Sequence, residues 1–287
     1  MTQVLRNRRE RGPGESHGET TQLPEVMAEG VAFWASRLPG WDVARAVIRG
    51  EQAAPEATMS RPAPALLGPT ERRRAPDTVA VALEVAARAC AAAGRSPSDL
   101  PAVFASTHGD LGISDYMCAT LVDTPALISP IKFHNSVHNA AAGYWSIGTS
   151  SHTPYTAISA FHHTFGAGLL EAAVQIACEQ QPVLYVAFDV EAKGALATMA
   201  PSRGLVGVAL VLAPASAARP GSRRLTLRIA DEPCEATRPR SAAAALVADN
   251  ALAPCMPLLE ALAADLPATL QLTLGDSAAL NIQVSQV

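Results

Sequence analysis

The chain has 287 residues, of which 49% are hydrophobic and 17% are charged, and its formal net charge is −4. This composition predicts a globular protein with a large core, and the negative charge argues against a general nucleic-acid-binding protein. No stretch approaches the ~18 uninterrupted apolar residues of a membrane-spanning helix. The basic N-terminus lacks the apolar region of a secretory signal, so we expect a cytoplasmic protein.

The cysteine pattern agrees with a reducing compartment. The five cysteines show no CxxC pairing. Cys90, Cys118 and Cys178 fall within apolar helical patterns, which predicts buried free thiols rather than disulfides or a metal site.

Short apolar runs alternate with helical spacing along most of the chain, after a polar, glycine-rich segment at residues 1–24 that predicts a disordered tail. The predicted strands are 31–35, 102–106, 156–161, 183–188, 204–212 and 225–229. The predicted helices are 41–49, 78–93, 114–121, 132–145, 168–176 and 257–264. A predicted hairpin of 269–274 and 279–284 closes the chain. Asp77 is the predicted N-cap of the long helix. The strand–helix alternation over 100–212 predicts a mostly parallel, layered α/β sheet.

The stretch 154–173 predicts a strand, a tight turn and a helix, with His162, His163 and Thr164 at the helix start. Backbone N–H groups at a helix start are unpaired and carry partial positive charge, so such a turn suits a nucleophile or an oxyanion. This turn contains neither Cys nor Ser. A site of this form therefore lacks its nucleophile.

This turn and the segment before it resemble the β-ketoacyl synthases of fatty-acid and polyketide synthesis, which have a thiolase-like fold of α-β-α-β-α layers. In that family a strand brings a cysteine to the turn, and the resemblance places Phe161 or His162 at this vestigial nucleophile position. The segment 133–145 is similar to the family's Asn-x-x-Ala-Gly helix. The resemblance covers about residues 29–214, so we expect residues 25–214 to form a ketosynthase-like N-terminal half.

Residues 215–287 are too few for the five-stranded second half that the family has. Their pattern predicts a truncated half that contains a strand, a helix and the hairpin. The family's second half also supplies two histidines for decarboxylation, whereas the last histidine here is His163.

Claisen condensation requires an acyl thioester on a nucleophile. The family includes dimers in which one subunit has lost its cysteine and shapes the pocket, the chain-length factors of polyketide synthases. Residues 29–35 and 38–41 are similar to short synthase-like proteins of aryl polyene pigment clusters. We therefore predict a catalytically silent subunit of an active ketosynthase heterodimer, without cofactor or metal, in which Phe161, His162 and Phe165 fill or gate the vestigial acyl site.

The resemblance implies that the 133–145 helix and the 156–160 strand contact the partner. The predicted interface residues are His134, Asn135, His138, Asn139, Tyr144 and Trp145. A homodimer is the alternative assembly, because synthase-type folds are usually two-fold symmetric.

Three consecutive arginines, Arg72, Arg73 and Arg74, precede the long helix. An acyl carrier protein is acidic and its prosthetic arm bears a phosphate, so these guanidinium groups are the predicted carrier-docking site. A solvated charge cluster is the other interpretation.

Two enzyme hypotheses compete with the silent subunit. In the first, His162 or His163, with Thr164 or Ser159, acts in an acyltransferase or a thioester hydrolase. In the second, His134 and His138 hold a metal, because residues four apart share a helix face, although no Glu follows His134 to complete an HExxH arrangement.

Overall fold

The computed structural model describes residues 20–231, 234–264 and 266–287. The strands are β1 (Thr20–Gln22), β2 (Val26–Ala35), β3 (Ala102–Ala105), β4 (Tyr155–Ile158), β5 (Val183–Asp189), β6 (Val206–Pro214), β7 (Arg223–Ala230), β8 (Ala268–Thr273) and β9 (Ala279–Gln286). The helices are α1 (Trp41–Ile48), α2 (Pro69–Arg74), α3 (Asp77–Ala93), α4 (Leu111–Asp123), α5 (Pro130–Asn135), α6 (Ala140–Thr149), α7 (Thr164–Glu179), α8 (Ala242–Ala245) and α9 (Met256–Ala263).

Within the described residues, nine strands form one sheet in the order β4-β3-β5-β6-β2-β7-β9-β8, and β1 pairs with β7. The strands β4, β3 and β5 are parallel, as the strand–helix alternation predicts. In contrast, β6 runs antiparallel to both β5 and β2. The fully described connection between β5 and β6 holds a short 3-10 turn, Ala195–Thr198, and no α-helix. Two neighbouring parallel strands are usually joined by a crossover that contains an α-helix, so a connection without one agrees with the antiparallel pairing of β5 and β6.

Helices cover both faces of the sheet because alternate strand residues point to opposite sides. Tyr185 of β5 packs in one apolar cluster with Leu169 of α7. The next residue, Val186, packs in a second cluster with Val85 of α3. The predicted layered α/β architecture is therefore present, with the sheet between α3 and α7.

The C-terminal strands extend the same sheet, because β7 pairs with β2 at Val26–Ala28. Leu225 of β7, Leu258 of α9 and Leu280 of β9 belong to the apolar cluster that also contains Leu169 of α7. The residues on either side of position 214 therefore share one core.

Several local predictions are corrected by the structure. Thr20–Gln22, predicted as part of a disordered tail, forms β1 against β7, whereas the rest of that tail, residues 1–19, lies outside the described residues. Asp77 is the first residue of α3 rather than its N-cap, and its carboxylate pairs with Arg61 at 3.1 Å. The predicted helix 132–145 is two helices, because α5 ends at Asn135 and α6 begins at Ala140.

All five cysteines lie in the described ranges and are free thiols. Cys90 is buried, and burial raises its pKa to about 12. Cys118 and Cys178 are exposed, contrary to the prediction of burial, because they lie on the outer faces of α4 and α7. Among the described helices, none combines the length and the apolar character needed to cross a membrane.

Candidate functional site

The elbow, which we define as residues 159–164, connects β4 to α7 through a 3-10 turn at Phe161–His163. Phe161 has a φ of 51°, in the left-handed region that residues with a side chain rarely adopt. The Thr164 hydroxyl donates to the Phe161 carbonyl at 2.7 Å and accepts the Ala160 N–H at 3.0 Å. The turn is thus sharp and strained, the geometry in which nucleophile elbows present their side chain. Its apex is Phe161.

The two histidines of the elbow have different surroundings. His162 is exposed, and its ring centroid lies 3.8 Å from that of Phe161. Nδ1 of His163 forms a 2.8 Å hydrogen bond with the hydroxyl of Thr273 at the end of β8. Phe161 also contacts His108 edge-on, with ring centroids 5.6 Å apart.

A cavity of about 1050 Å³ lies between the elbow and the C-terminal segments. His162 and His163 line one side, and β8 and the loops near 235–239 and 248–254 line the other. Arg203, Arg238, Glu235 and Asp249 place charges of both signs on its walls.

Other side chains assigned to the elbow are already engaged. The Ser159 hydroxyl donates to the Thr107 carbonyl at 2.7 Å, and the Thr164 hydroxyl is held within the turn. These bonds occupy the protons that a nucleophilic serine or threonine would pass to a base. Phe165 is buried in the core, and its carbonyl accepts the Tyr185 hydroxyl at 2.7 Å, so Phe165 does not gate the elbow.

A buried carboxylate fixes the loop that follows β3. Asp189, at the end of β5, accepts hydrogen bonds from the Ser106 hydroxyl at 3.0 Å and from the Thr107 N–H and hydroxyl at 3.0 and 2.8 Å. Burial raises the pKa of Asp189 from 3.8 to about 6, although these hydrogen bonds act in the opposite direction. For His108 in the same loop, burial and then the His162 and His138 imidazoles lower the pKa.

The histidine pair proposed for a metal does not share a helix face. His134 lies in α5, with its ring 6.2 Å from that of Tyr144. His138 lies in the break between α5 and α6, where its Nε2 donates to the Ser106 carbonyl at 2.9 Å. Across the described residues, no group of three His, Cys, Asp or Glu side chains is placed to hold a metal. The shared helix face on which the metal hypothesis depended is therefore absent for this pair.

The predicted interface residues divide into two groups. Asn135 and Trp145 are buried by the chain's own fold, with 5% and 2% exposed, and cannot contact a partner without rearrangement. Asn139 remains accessible, and its amide donates to the Tyr155 hydroxyl at 3.4 Å. His134 and Tyr144 line a groove of about 560 Å³ between α2 and α5–α6.

The structure reveals an apolar surface that sequence reasoning missed. We call residues 111–139, with α4, a short turn and α5, the helical lobe. Within α4 and α5, burial is confined to Leu111, Ile113 and Asn135. The lobe exposes Leu121, Val122, Leu127, Ile131, Phe133 and Val137. Val122 is 82% exposed and Leu127 is 70% exposed, and exposed apolar patches of this kind mark interaction sites. The available signal was that the apolar and polar residues of α4 do not separate onto two faces of the helix.

The strand β4 adds an open edge to the sheet. Within the described residues β4 pairs with β3 alone, and Tyr155 is partly exposed. An unpaired edge presents N–H and C=O groups that can pair with another chain.

The three arginines do not form one uniform patch. The Arg72 guanidinium donates to the Leu67 carbonyl at 2.8 Å, and this bond ties α2 to the preceding segment. Arg73 and Arg74 are exposed. Arg74 also lines the groove between α2 and α5–α6.

Comparisons with known proteins identify the fold. Residues 48–265 match a family model described as the β-ketoacyl synthase N-terminal domain. Among curated proteins no sequence matches. The solved structures that share the fold include the following three. A ketosynthase (ApeO) in complex with its chain length factor (ApeC) from Xenorhabdus doucetiae has a TM-score of 0.62 and 19% identity, over 92% of this chain and 98% of that chain. The ishigamide ketosynthase/chain length factor has a TM-score of 0.66 and 17% identity, over 91% and 99%. The complex of a type II polyketide synthase acyl-carrier protein with its ketosynthase has a TM-score of 0.70 and 10% identity, over 92% and 100%. The expected thiolase-like α/β fold is therefore confirmed.

Proposed function

We propose, from the premise that this chain belongs to the β-ketoacyl synthase N-terminal domain family, that it is a catalytically silent, chain-length-factor-type subunit of an active ketosynthase. The elbow carries this proposal. Its sharp turn is kept, with a left-handed residue at the apex, but that residue is Phe161, whose ring cannot form an acyl thioester. Two of the similar structures are described as a ketosynthase together with a chain length factor.

The exposed apolar surface supports a protein partner. The helical lobe has too few buried residues to form a core of its own, and burying Val122, Leu127 and Phe133 against a partner would remove their apolar area from water. The β4 edge offers backbone pairing beside it. We place the interface on the helical lobe, including its residues His134, His138 and Asn139, and on β4, with Tyr144 beside them.

Carrier docking and pocket shaping complete the proposal. Arg73 and Arg74 remain available to an acidic carrier protein, whereas the Arg72 guanidinium is hydrogen-bonded to the Leu67 carbonyl.

The Phe161 ring, held between His108 and His162, would narrow the acyl path that opens from the partner. The similarity of residues 29–35 and 38–41 to aryl polyene proteins suggests that pathway as the setting.

Co-expression tests this function. The chain is produced with a ketosynthase from its own gene neighbourhood, and the purified complex is weighed by native mass spectrometry. We expect a one-to-one heterodimer whose condensing activity is lost when the partner's cysteine is replaced and is unchanged by His162→Ala. A monomer or homodimer whose acyl transfer depends on His162 would contradict the silent-subunit assignment.

A matched pair of variants locates the interface. Val122→Asp places a charge on the helical lobe, whereas Leu266→Asp does so at a site that is 77% exposed near the start of β8. We expect the first to weaken the heterodimer at least tenfold, because a charge desolvated at an interface costs more than about 1.4 kcal/mol. The second should leave assembly unchanged. Equal effects, or none from Val122→Asp, would place the interface elsewhere.

A second candidate function rests on the cavity. His162 and His163 line it, and the hydrogen bond between Nδ1 of His163 and the Thr273 hydroxyl orients the His163 ring. We therefore retain an acyltransferase or thioester hydrolase as the alternative, tested by turnover of short acyl thioesters by the isolated chain. Loss of that turnover in His163→Ala, with His152→Ala as the exposed control, would favour this alternative.

A further inference from the structure

The loop that follows β3 is hydrogen-bonded to three other segments; we call residues 106–109 the β3 loop. The Ser106 N–H donates to the Ile158 carbonyl at the end of β4 at 3.3 Å, and the Ser106 carbonyl accepts Nε2 of His138 at 2.9 Å. The Thr107 carbonyl accepts the Ser159 hydroxyl at 2.7 Å. The β3 loop therefore lies between β4, the elbow and the break between α5 and α6.

The Asp189 carboxylate holds the β3 loop from the side of β5. Its Oδ1 accepts the Ser106 hydroxyl and the Thr107 N–H, both at 3.0 Å, and its Oδ2 accepts the Thr107 hydroxyl at 2.8 Å. Asp189 is 4% exposed, and it ends a strand that pairs with β3 on one side and β6 on the other. Because buried donors that lose their acceptor are costly, these three bonds fix the β3 loop relative to the sheet.

The β3 loop contacts the elbow on both sides of its apex. Ser159, two residues before Phe161, is bonded to the Thr107 carbonyl, and the His108 ring lies edge-on to the Phe161 ring with centroids 5.6 Å apart. Phe161 has a φ of 51°, and a side-chain-bearing residue keeps such a conformation only where its surroundings hold it. The β3 loop supplies two of the contacts that do so.

We propose that Asp189 is a positioning residue for the elbow. It fixes the β3 loop, and the loop, through the Ser159 bond and the His108 ring, sets where the Phe161 ring lies. A consequence for acyl chains rests on the proposed function, in which this ring narrows the acyl path from the partner. Loosening the β3 loop would then let the ring move aside and admit longer acyl chains.

Hydrogen–deuterium exchange of the purified full chain tests the positioning role without a partner. Exchange is followed at pH 7.5, above the Asp189 pKa of about 6. In Asp189→Ala, peptides covering the β3 loop and the elbow should exchange roughly fivefold faster, the factor that one hydrogen bond supplies. Ser159→Ala removes only the bond between loop and elbow, so it should speed exchange at the elbow and leave the β3 loop protected. Peptides from α3 should be unchanged in both variants.

Two further variants distinguish positioning from a general loss of stability. Asp189→Asn should restore most of the protection, because the amide oxygen can accept from Ser106 and the Thr107 N–H while the amide nitrogen donates to the Thr107 hydroxyl. Asp123→Ala, at an exposed carboxylate, should exchange as the wild type does. Unchanged exchange at the elbow in Asp189→Ala would overturn the proposal, and where that variant does not fold, unchanged exchange at the elbow in Ser159→Ala would do so.

The co-expressed complex tests the consequence for acyl chains. The lengths of its products are compared by mass spectrometry for Asp189→Ala, Phe161→Ala and the double variant. Each single variant should shift the products towards longer chains, and the double variant should match Phe161→Ala, because Asp189 acts through the Phe161 ring. Additive shifts would contradict this route. Failure to form the heterodimer would count against the proposed function, whereas the exchange measurement on the chain alone still decides the positioning role.

Discussion

The buried Asp189 gives this protein an unusual pH dependence of stability that can be calculated. Its carboxyl group is 4% exposed, and burial raises its pKa from 3.8 to about 6 in the folded chain. Between these values the folded state holds a proton that the unfolded state has released. The free energy of unfolding contributed by this group therefore increases as the pH falls, by about 2 kcal/mol between pH 7.5 and 4.5.

Asp189→Asn removes this titration while it keeps the size of the side chain. Urea unfolding of the wild type and the variant from pH 7.5 to 4.5 measures the difference in their free energies of unfolding at each pH. The variant should lose stability relative to the wild type by about 2 kcal/mol as the pH is lowered. The opposing effect of His108 is present in both proteins and cancels in the difference.

Asp123→Asn, at an exposed position near the end of α4, is the control, and its profile should stay parallel to that of the wild type. Parallel profiles for Asp189→Asn as well would refute the reasoning. They would mean that the hydrogen bonds from Ser106 and Thr107 offset the cost of burying the charge, so that folding leaves the pKa of Asp189 unchanged.

Three further substitutions test local features of the fold by urea unfolding. Phe161→Gly should be more stable than Phe161→Ala by about 1 kcal/mol, because glycine adopts a positive φ without strain; the reverse order would show that the elbow is not strained. Gly168→Ala should lower the free energy of unfolding by about 1–3 kcal/mol, because the new Cβ would lie 2.7 Å from a buried tyrosine ring. Gly143→Ala, where no described atom lies within 4 Å of the new Cβ, is the control and should not destabilise the protein. Equal effects of the two substitutions would contradict the close packing at Gly168. Glu29→Gln should lower the free energy of unfolding by about 3 kcal/mol, because the Arg95 guanidinium loses the buried carboxylate with which it pairs. A change below about 1 kcal/mol would mean that this pair contributes no more than a surface salt bridge.

The elbow illustrates what local pattern can predict. The strand, the turn and the following helix were predicted from apolar spacing, and the absence of Cys and Ser from the turn is a direct property of the sequence. The left-handed conformation of Phe161 was not predicted, because the sequence signals of such a conformation are usually Gly or Asn. In the structure it is accompanied by a hydrogen bond from the Thr164 hydroxyl to the Phe161 carbonyl.

The helix predicted over 132–145 is interrupted in the structure. Residues 134–139 have low helix propensity, and His138 in this segment bonds to the carbonyl of Ser106, 32 residues earlier. The same break separates His134 from His138, which removes the helical geometry on which the metal hypothesis depended. The candidate chemistry thus depended on whether this segment is one helix or two, and the structure has two.

By itself the sequence determined the positions of most helices and strands, because apolar residues that share one buried face recur with the side-chain period of a helix or a strand. It also determined that the turn lacks a cysteine. Only the tertiary structure decided which apolar faces are covered. Trp145 is buried by the chain's own core, while Val122 and Leu127 on the helical lobe are left exposed. The physical reason is that an apolar face indicates a need for burial but does not specify whether the chain itself or another molecule provides it.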